Sequence, residues 1–218
     1  MGYVMGSEHE DMQLLVQKAA EGDEAALAEL FGKYRSKLRQ IIRLRLDRRL
    51  QGRVDPSDVL QEAYLDVARQ LPNYLNQSTF SFFVWLRMVT GQRLMRVHRE
   101  HLGAAMRDAG REVSIHRGAM PQANSVSLAA QLLGRFTSVS QVVARTEMQV
   151  QLQEALNGMD ANDREIIALR HFEELSNSEA AEVLELSKAA ASNRYVRALA
   201  RLQSILESIP GFMDHTKR

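Results

Sequence analysis

Residues 187–206 run twenty positions without an acid, at helical spacing, directly behind a second short helix-forming segment that begins at Asn177. At about 100° per residue, Ala191, Tyr195, Leu199, Leu202 and Leu206 fall on one side, and Asn193, Arg194, Arg197 and Arg201 gather on the other. The first side needs a hydrophobic neighbour and the second does not, so this end of the chain must fold as packed helices. A short helix, a turn and a helix with a basic outer face is the geometry that enters a DNA major groove. Whole-chain charge hides this, because 28 basic and 27 acidic side chains leave a net charge of +1. The signal is local.

The rest of the composition agrees with a helical protein. Only 4 prolines and 12 glycines accompany abundant Ala, Leu, Arg, Glu and Gln, which favours an all-α fold. No cysteine occurs, which removes disulfides, a thiolate nucleophile and cysteine-ligated metals, and suits a reducing cytosol. No apolar run approaches the ~18 residues of a membrane span. The start of the chain, with Glu8, Glu10 and Asp11, lacks the apolar core of a signal peptide. The expectation is a soluble cytoplasmic protein with no membrane insertion. Charge is sorted along it. Residues 33–53 carry nine basic side chains against Asp47 alone, residues 87–111 are basic again, and Asp55, Asp58, Glu62 and Asp66 lie between.

Start and stop signals predict helices over 11–20, 24–50 and 57–71, with Asp23 capping the second and Gly52 ending it. Pro56 fits the first turn of the third. Residues 72–78 read as a loop opened by Pro72, followed by a helix over 79–102. The pattern weakens over 103–138, where Gly110, Gly118 and Pro121 point to a flexible connector with a short helix around 128–133. Helices return over 141–156 and 160–171 before the helix-turn-helix. The expected organisation is two small helical domains, 1–103 and 139–218, joined by a flexible linker over 104–138, the second domain containing the helix-turn-helix.

Two further segments carry candidate sites. On the helix from Ser57, residues Leu60, Ala63, Tyr64, Val67 and Leu71 form the buried side, and Asp58, Gln61, Glu62 and Arg69 mark the polar one. Leu65 falls in the middle of the polar side. An apolar centre in a polar rim is the anatomy of a partner-binding patch, although single exposed leucines are also common. Phe80, Phe82, Phe83 and the single Trp, Trp85, precede Arg87, Arg93, Arg96 and Arg99. Aromatics beside arginines either stack on unpaired bases or pack an ordinary core. The polar stretch 73–78 before them has the composition to pocket an extruded base.

Catalytic patterns are missing from the sequence. Six histidines show no HExxH spacing, and His98 and His101 have only Glu100 beside them. No phosphate-binding glycine loop and no G-x-S-x-G elbow occurs. No enzyme and no cofactor is expected.

Specific motifs then lead to a family. Asp58-Val-Leu-Gln61-Glu62-Ala-Tyr64 resembles the D-x-x-Q-E-x-F/Y helix of bacterial RNA polymerase sigma factors. Phe82-Phe-Val-Trp85-Leu86, followed by Arg93, resembles their F-x-x-W-L segment. Ala155-Leu156, the run from Arg164 to Arg170, Leu175-Ser176 and Glu179-Ala180-Ala181-Glu182 resemble their C-terminal domain. The resemblance extends over about 14–206 with a gap in the linker, and its two-domain form is similar to the extracytoplasmic-function (ECF) type.

That resemblance implies roles. Asp58, Gln61, Glu62 and Leu65 would dock on the clamp coiled coil of core RNA polymerase. Asn73, Tyr74, Ser78, Phe80, Trp85, Arg93, Arg96 and Arg99 would recognise and melt the minus-ten element of promoter DNA. Lys188, Ser192, Asn193, Arg194 and Arg197 would read the minus-thirty-five element. An anti-sigma factor or other regulator is a further partner the resemblance admits. The chain departs from the family in its helix-turn-helix turn, where Glu185 replaces the frequent glycine. It departs again where Ala190-Ala191-Ser192 stands in place of Thr-Val-Lys. Two other readings of the residues are a stand-alone helix-turn-helix repressor or activator, and a sigma-like interaction protein that sequesters a regulator.

Overall fold

The computed structural model of the chain describes residues 4–77, 79–103, 120–136 and 142–209. Among these residues the regular elements are helices, and no β-strand is present. The chain divides into two compact units. One comprises Met1–Ile42 and Gly52–Met120, the other Arg43–Gln51 and Pro121–Arg218.

The first unit is built from α1 (Val4–Ala20), α2 (Glu24–Arg45, whose last turn belongs to the second unit), α3 (Pro56–Gln77) and α4 (Phe82–Leu102). Gly22, at φ 99°, makes the turn out of α1 that a side chain would resist. Asp23 then caps α2, its Oδ1 accepting from the amides of Ala25 and Ala26 at 2.9 and 3.0 Å. The core is aliphatic, with Leu30, Leu38, Ile41, Leu60, Ala63, Val67, Leu71, Leu86 and Leu94 all buried. Aromatic rings tie the helices together. Phe31 meets Tyr64 edge-on at 5.1 Å, and Tyr34 stacks on Phe83 at 5.1 Å.

Four boundaries differ most from the sequence expectation, the first being α1, which begins at Val4 rather than at Asp11. Helix α2 stops at Arg45 rather than near Leu50, because Asp47 accepts from the Arg49 amide at 2.9 Å and caps a separate short 3₁₀ turn, Arg48–Leu50. Helix α3 does not end before Pro72 but runs through it to Gln77. Pro72 removes one backbone donor, yet Tyr74 packs 4.8 Å from Trp85 and donates its hydroxyl to the Phe80 carbonyl at 3.1 Å, so tertiary contacts hold the last turn against the breaker. Residues 73–77 are therefore helical rather than loop, and Ser78 lies outside the described residues. Helix α4 begins at Phe82, with Ser81 as its N-cap residue, rather than at Thr79.

The second unit contains α5 (Ser125–Phe136), α6 (Val142–Asn157), α7 (Ala161–Ile167) continued by a π-helical turn Ala168–Phe172, α8 (Asn177–Leu184) and α9 (Lys188–Ser208). Helix α5 revises the expected linker. Asn124 precedes its first turn, its Oδ1 accepting from the Val126 amide at 2.8 Å, and the helix packs on α6 with Leu128, Ala129, Leu132 and Leu133 buried. Besides Arg43–Gln51, the second unit comprises Pro121–Arg218 and so takes in α5. The polar A-N-S-V-S opening of this helix masks its apolar period. Residues 104–119 of the expected linker lie outside the described residues.

A buried ion cluster pins this unit. Arg45, with its side chain 1 % exposed, reaches Glu165 at 2.6 Å and Glu173 at 2.5 Å, and donates to the Pro121 carbonyl. Burial alone would lower the guanidinium's pKa, but the two carboxylates outweigh it and hold it above its ordinary range.

Candidate functional site

The helix-turn-helix is organised by caps. Ser176 accepts from the Glu179 amide at 3.2 Å while the Glu179 carboxylate accepts from the Ser176 amide at 2.7 Å, a reciprocal capping box that starts α8. Glu185 ends α8 in the left-handed region, φ 54° and ψ 41°, so the turn does accommodate a non-glycine residue. Ser187 caps α9 through the Ala190 amide at 3.1 Å. Asn177 Nδ2 donates to the Lys188 carbonyl at 2.8 Å, which locks the start of α8 to the start of α9.

Ala191, Ala198 and Leu202 turn α9 inward. Of the residues expected to face DNA, Lys188, Ser192, Asn193 and Arg197 are exposed. Arg194 is arranged differently. Its Nη1 lies 3.6 Å from Asp160 and 3.5 Å from Asp163, and its side chain is 29 % exposed. Arg201 pairs with Asp163 at 3.0 Å. The two arginines neutralise the acidic start of α7 along the flank of α9, which a helical wheel of α9 alone cannot anticipate. The wheel also gave no role to Val196, at 62 % the most exposed of the large hydrophobics among the described residues.

In the first unit, a groove of about 470 Å³ runs between α2 and α3, lined among others by Phe31, Gly32, Leu60, Gln61, Tyr64 and Leu65. Leu65 is 52 % exposed at its edge, with Asp58, Gln61 and Glu62 exposed around it. The polar rim and apolar centre expected from the sequence thus open onto an apolar recess. The groove side, contributed by Phe31 and Gly32 of α2, had no sequence signal because it depends on how two helices pack.

A second recess, of about 350 Å³, lies at the junction of α3 and α4 and is lined by Gln70, Asn73, Tyr74, Thr79, Phe80, Trp85 and Met88. Asn73, Tyr74, Phe80 and Trp85 of the expected set come together here. Trp85 is buried, 5.8 Å from Phe82 and 4.8 Å from Tyr74, so it serves as a wall rather than a projecting ring. The arginines divide. Arg99 is exposed and the Arg96 side chain is 46 % exposed, at 3.9 Å from Asp66. Arg93 is instead taken up by Asp66 at 2.6 Å and Glu62 at 3.2 Å, with its side chain 13 % exposed.

Comparison with known proteins falls on the same segments. A family model described as Sigma-70, region 4 matches residues 149–202, which span α6 to α9. The chain is 24% identical over 207 residues to the RNA polymerase sigma-H factor of Pseudomonas aeruginosa, covering 92% of this chain and 96% of that protein. It is 27% identical over 201 residues to the RNA polymerase sigma factor NccH of Alcaligenes xylosoxydans xylosoxydans, covering 90% and 95%. Its fold is shared with CnrH, solved in complex with the cytosolic domain of CnrY, at a TM-score of 0.53, 21% identity and 89% and 96% coverage. Among the described residues no helix is long and apolar enough to cross a membrane. Over 90–92% of its length the chain is thus similar to bacterial RNA polymerase sigma factors, and residues 149–202 match the Sigma-70, region 4 model.

Proposed function

We propose that this protein is an initiation factor that binds core RNA polymerase and directs it to specific promoters. The observation that carries the reading is the pairing, in one chain, of an acid-free helix-turn-helix face with a separate unit bearing an apolar docking groove and an aromatic recess. Gln61 and Leu65, with Asp58 and Glu62 as rim, form the surface for core polymerase. The recess of Asn73, Tyr74, Phe80 and Trp85 receives an unstacked base of the minus-ten element, and Arg96 and Arg99 supply charge for the phosphates. Lys188, Ser192, Asn193 and Arg197 read or position the minus-thirty-five element. Residues 1–103 and 139–218 then divide into a core-binding, melting domain and an upstream-reading domain, with α5 joining the latter.

The chain itself does no chemistry in this reading; the polymerase supplies the metal and the catalysis, and the protein works in the cytoplasm where polymerase is. CnrH is solved with the cytosolic domain of CnrY, which supports a regulatory protein as a further partner here. Run-off transcription with purified core polymerase and a promoter panel is the test. Promoter-specific transcripts should appear only when the chain is added. Tight operator binding without core polymerase would favour a stand-alone repressor, and regulator binding without transcripts a sequestering protein.

A further inference from the structure

Val196 lies on the outward side of α9. It lies about 200° around the helix from Ala198 and about 140° from Ala191, the residues that face the core of the unit. Its neighbours one turn away, Ser192, Asn193 and Ala200, are exposed, and so is Arg197 beside it. At 62 % exposure it is also the most open of the large hydrophobics among the described residues. Valine is a poor choice for a solvated helix position, since branching at Cβ restricts it there and alanine, lysine or glutamine would serve the helix better. The pairs that Arg194 and Arg201 make with Asp163 keep those long cations to the flank, so the valine methyls are not screened by them.

We infer that Val196 reads the C5-methyl group of a thymine in the upstream promoter element. The inference rests on α9 being the upstream reader, and it names what that helix recognises. The occupant is duplex DNA on grounds of charge: no acid occurs from Ser187 to Leu206, Arg197 is exposed beside the valine, and Lys188 is exposed two turns before it. In the major groove the thymine methyl is the apolar group that separates a T·A pair from the others, and small apolar side chains are what contact it. A β-branched side chain with one preferred χ1 in a helix presents its methyls in a fixed direction, which suits a contact between two small rigid groups. Ser192 and Asn193, one turn before it, supply hydrogen-bonding groups for adjacent base edges.

The test uses the full chain with core polymerase. The upstream element is first selected from a randomised promoter pool, and each thymine in it, on either strand, is then replaced by deoxyuridine, which removes only the methyl. For the wild-type holoenzyme, one such replacement should weaken promoter binding about fourfold, the effect of burying roughly one methylene. Val196→Ala should lose a similar factor on the thymine promoter and become insensitive to that replacement, while V196I retains the sensitivity. Alanine is the better helix former, so circular dichroism should be unchanged. The inference is overturned if every deoxyuridine is neutral for a wild-type holoenzyme that initiates from the selected promoters, or if V196A remains equally sensitive. A wild-type chain that gives no promoter-specific transcript overturns the initiation-factor reading itself, and this inference with it.

Discussion

Arg93 on α4 grips one oxygen of Asp66 on α3 with two nitrogens, Nε at 2.7 Å and Nη2 at 2.6 Å, while its Nη1 reaches Glu62 at 3.2 Å. The arginine thus joins the helix of the docking groove to the helix of the aromatic recess. Its acid partner is buried, with the Asp66 side chain 8 % exposed, so the pair is a fixed strut rather than a solvated surface contact. Arg93→Ala should destabilise the first unit by about 3 kcal/mol, the low end for leaving a buried charge without its main partner, because Arg69 remains 3.3 Å from Asp66. Urea unfolding measures this. R93K should recover only part of the loss, since an ammonium cannot make the two-nitrogen grip.

Leu65 is half exposed at the lip of the α2–α3 groove, and an aspartate there faces solvent without strain. Leu65→Asp should leave the circular-dichroism spectrum intact and change stability by no more than about 0.5 kcal/mol. Affinity for core polymerase should fall by at least about tenfold, as expected when the apolar centre of an interface is replaced by a charge. Fluorescence anisotropy with labelled protein reads this directly, and unchanged affinity would refute the docking assignment.

Glu185 sits at φ 54° in the turn between α8 and α9, where a Cβ is disfavoured by roughly 1–2 kcal/mol. Glu185→Gly should therefore stabilise the second unit by about 0.5–1 kcal/mol after the larger unfolded-state entropy of glycine is counted. E185V should destabilise it, since a β-branched residue is worse still in this region. Thermal unfolding of the two variants should bracket the wild-type midpoint.

Asp163 holds two cations, Arg194 at 3.5 Å and Arg201 at 3.0 Å. Asp163→Asn would release Arg201 toward solvent and leave Arg194 with Asp160 alone, at 3.6 Å, beside the exposed side of α9. Binding to non-promoter duplex should tighten several-fold at low salt, and the slope of log affinity against log salt should steepen by about one to two. Because the released charges contact phosphates rather than bases, preference for the selected promoter should fall. Affinity measured across a salt series on promoter and random duplexes checks both.

Much of the candidate site was legible in the residues themselves, and the reason is that helical periodicity projects directly onto faces. The exposed Leu65 amid Asp58, Gln61 and Glu62 follows from a wheel, and so do the inward Ala191 and Leu202 of α9. What the wheel could not give is pairing across helices. Arg93 and Arg194 look like free cations on their own helices, yet each is claimed by acids on a neighbour. The same limit explains Pro72, whose local rule says stop while the packing of Tyr74 against Trp85 says continue.

By itself the sequence determined that the chain is helical, where most helices start, and which end carries an acid-free helix with a basic outer side, because caps, glycines and apolar periods are local properties that act within a turn or two. Only the tertiary structure decided where the second unit begins, how Trp85 becomes a wall and which arginines stay available to a nucleic acid. Arg45 makes the point most plainly. In the sequence it is one of nine cations between Lys33 and Arg53, and in the fold it is buried between Glu165 and Glu173. Its partners lie far along the chain, and an electrostatic pair forms wherever folding brings opposite charges out of water together, which no local pattern encodes.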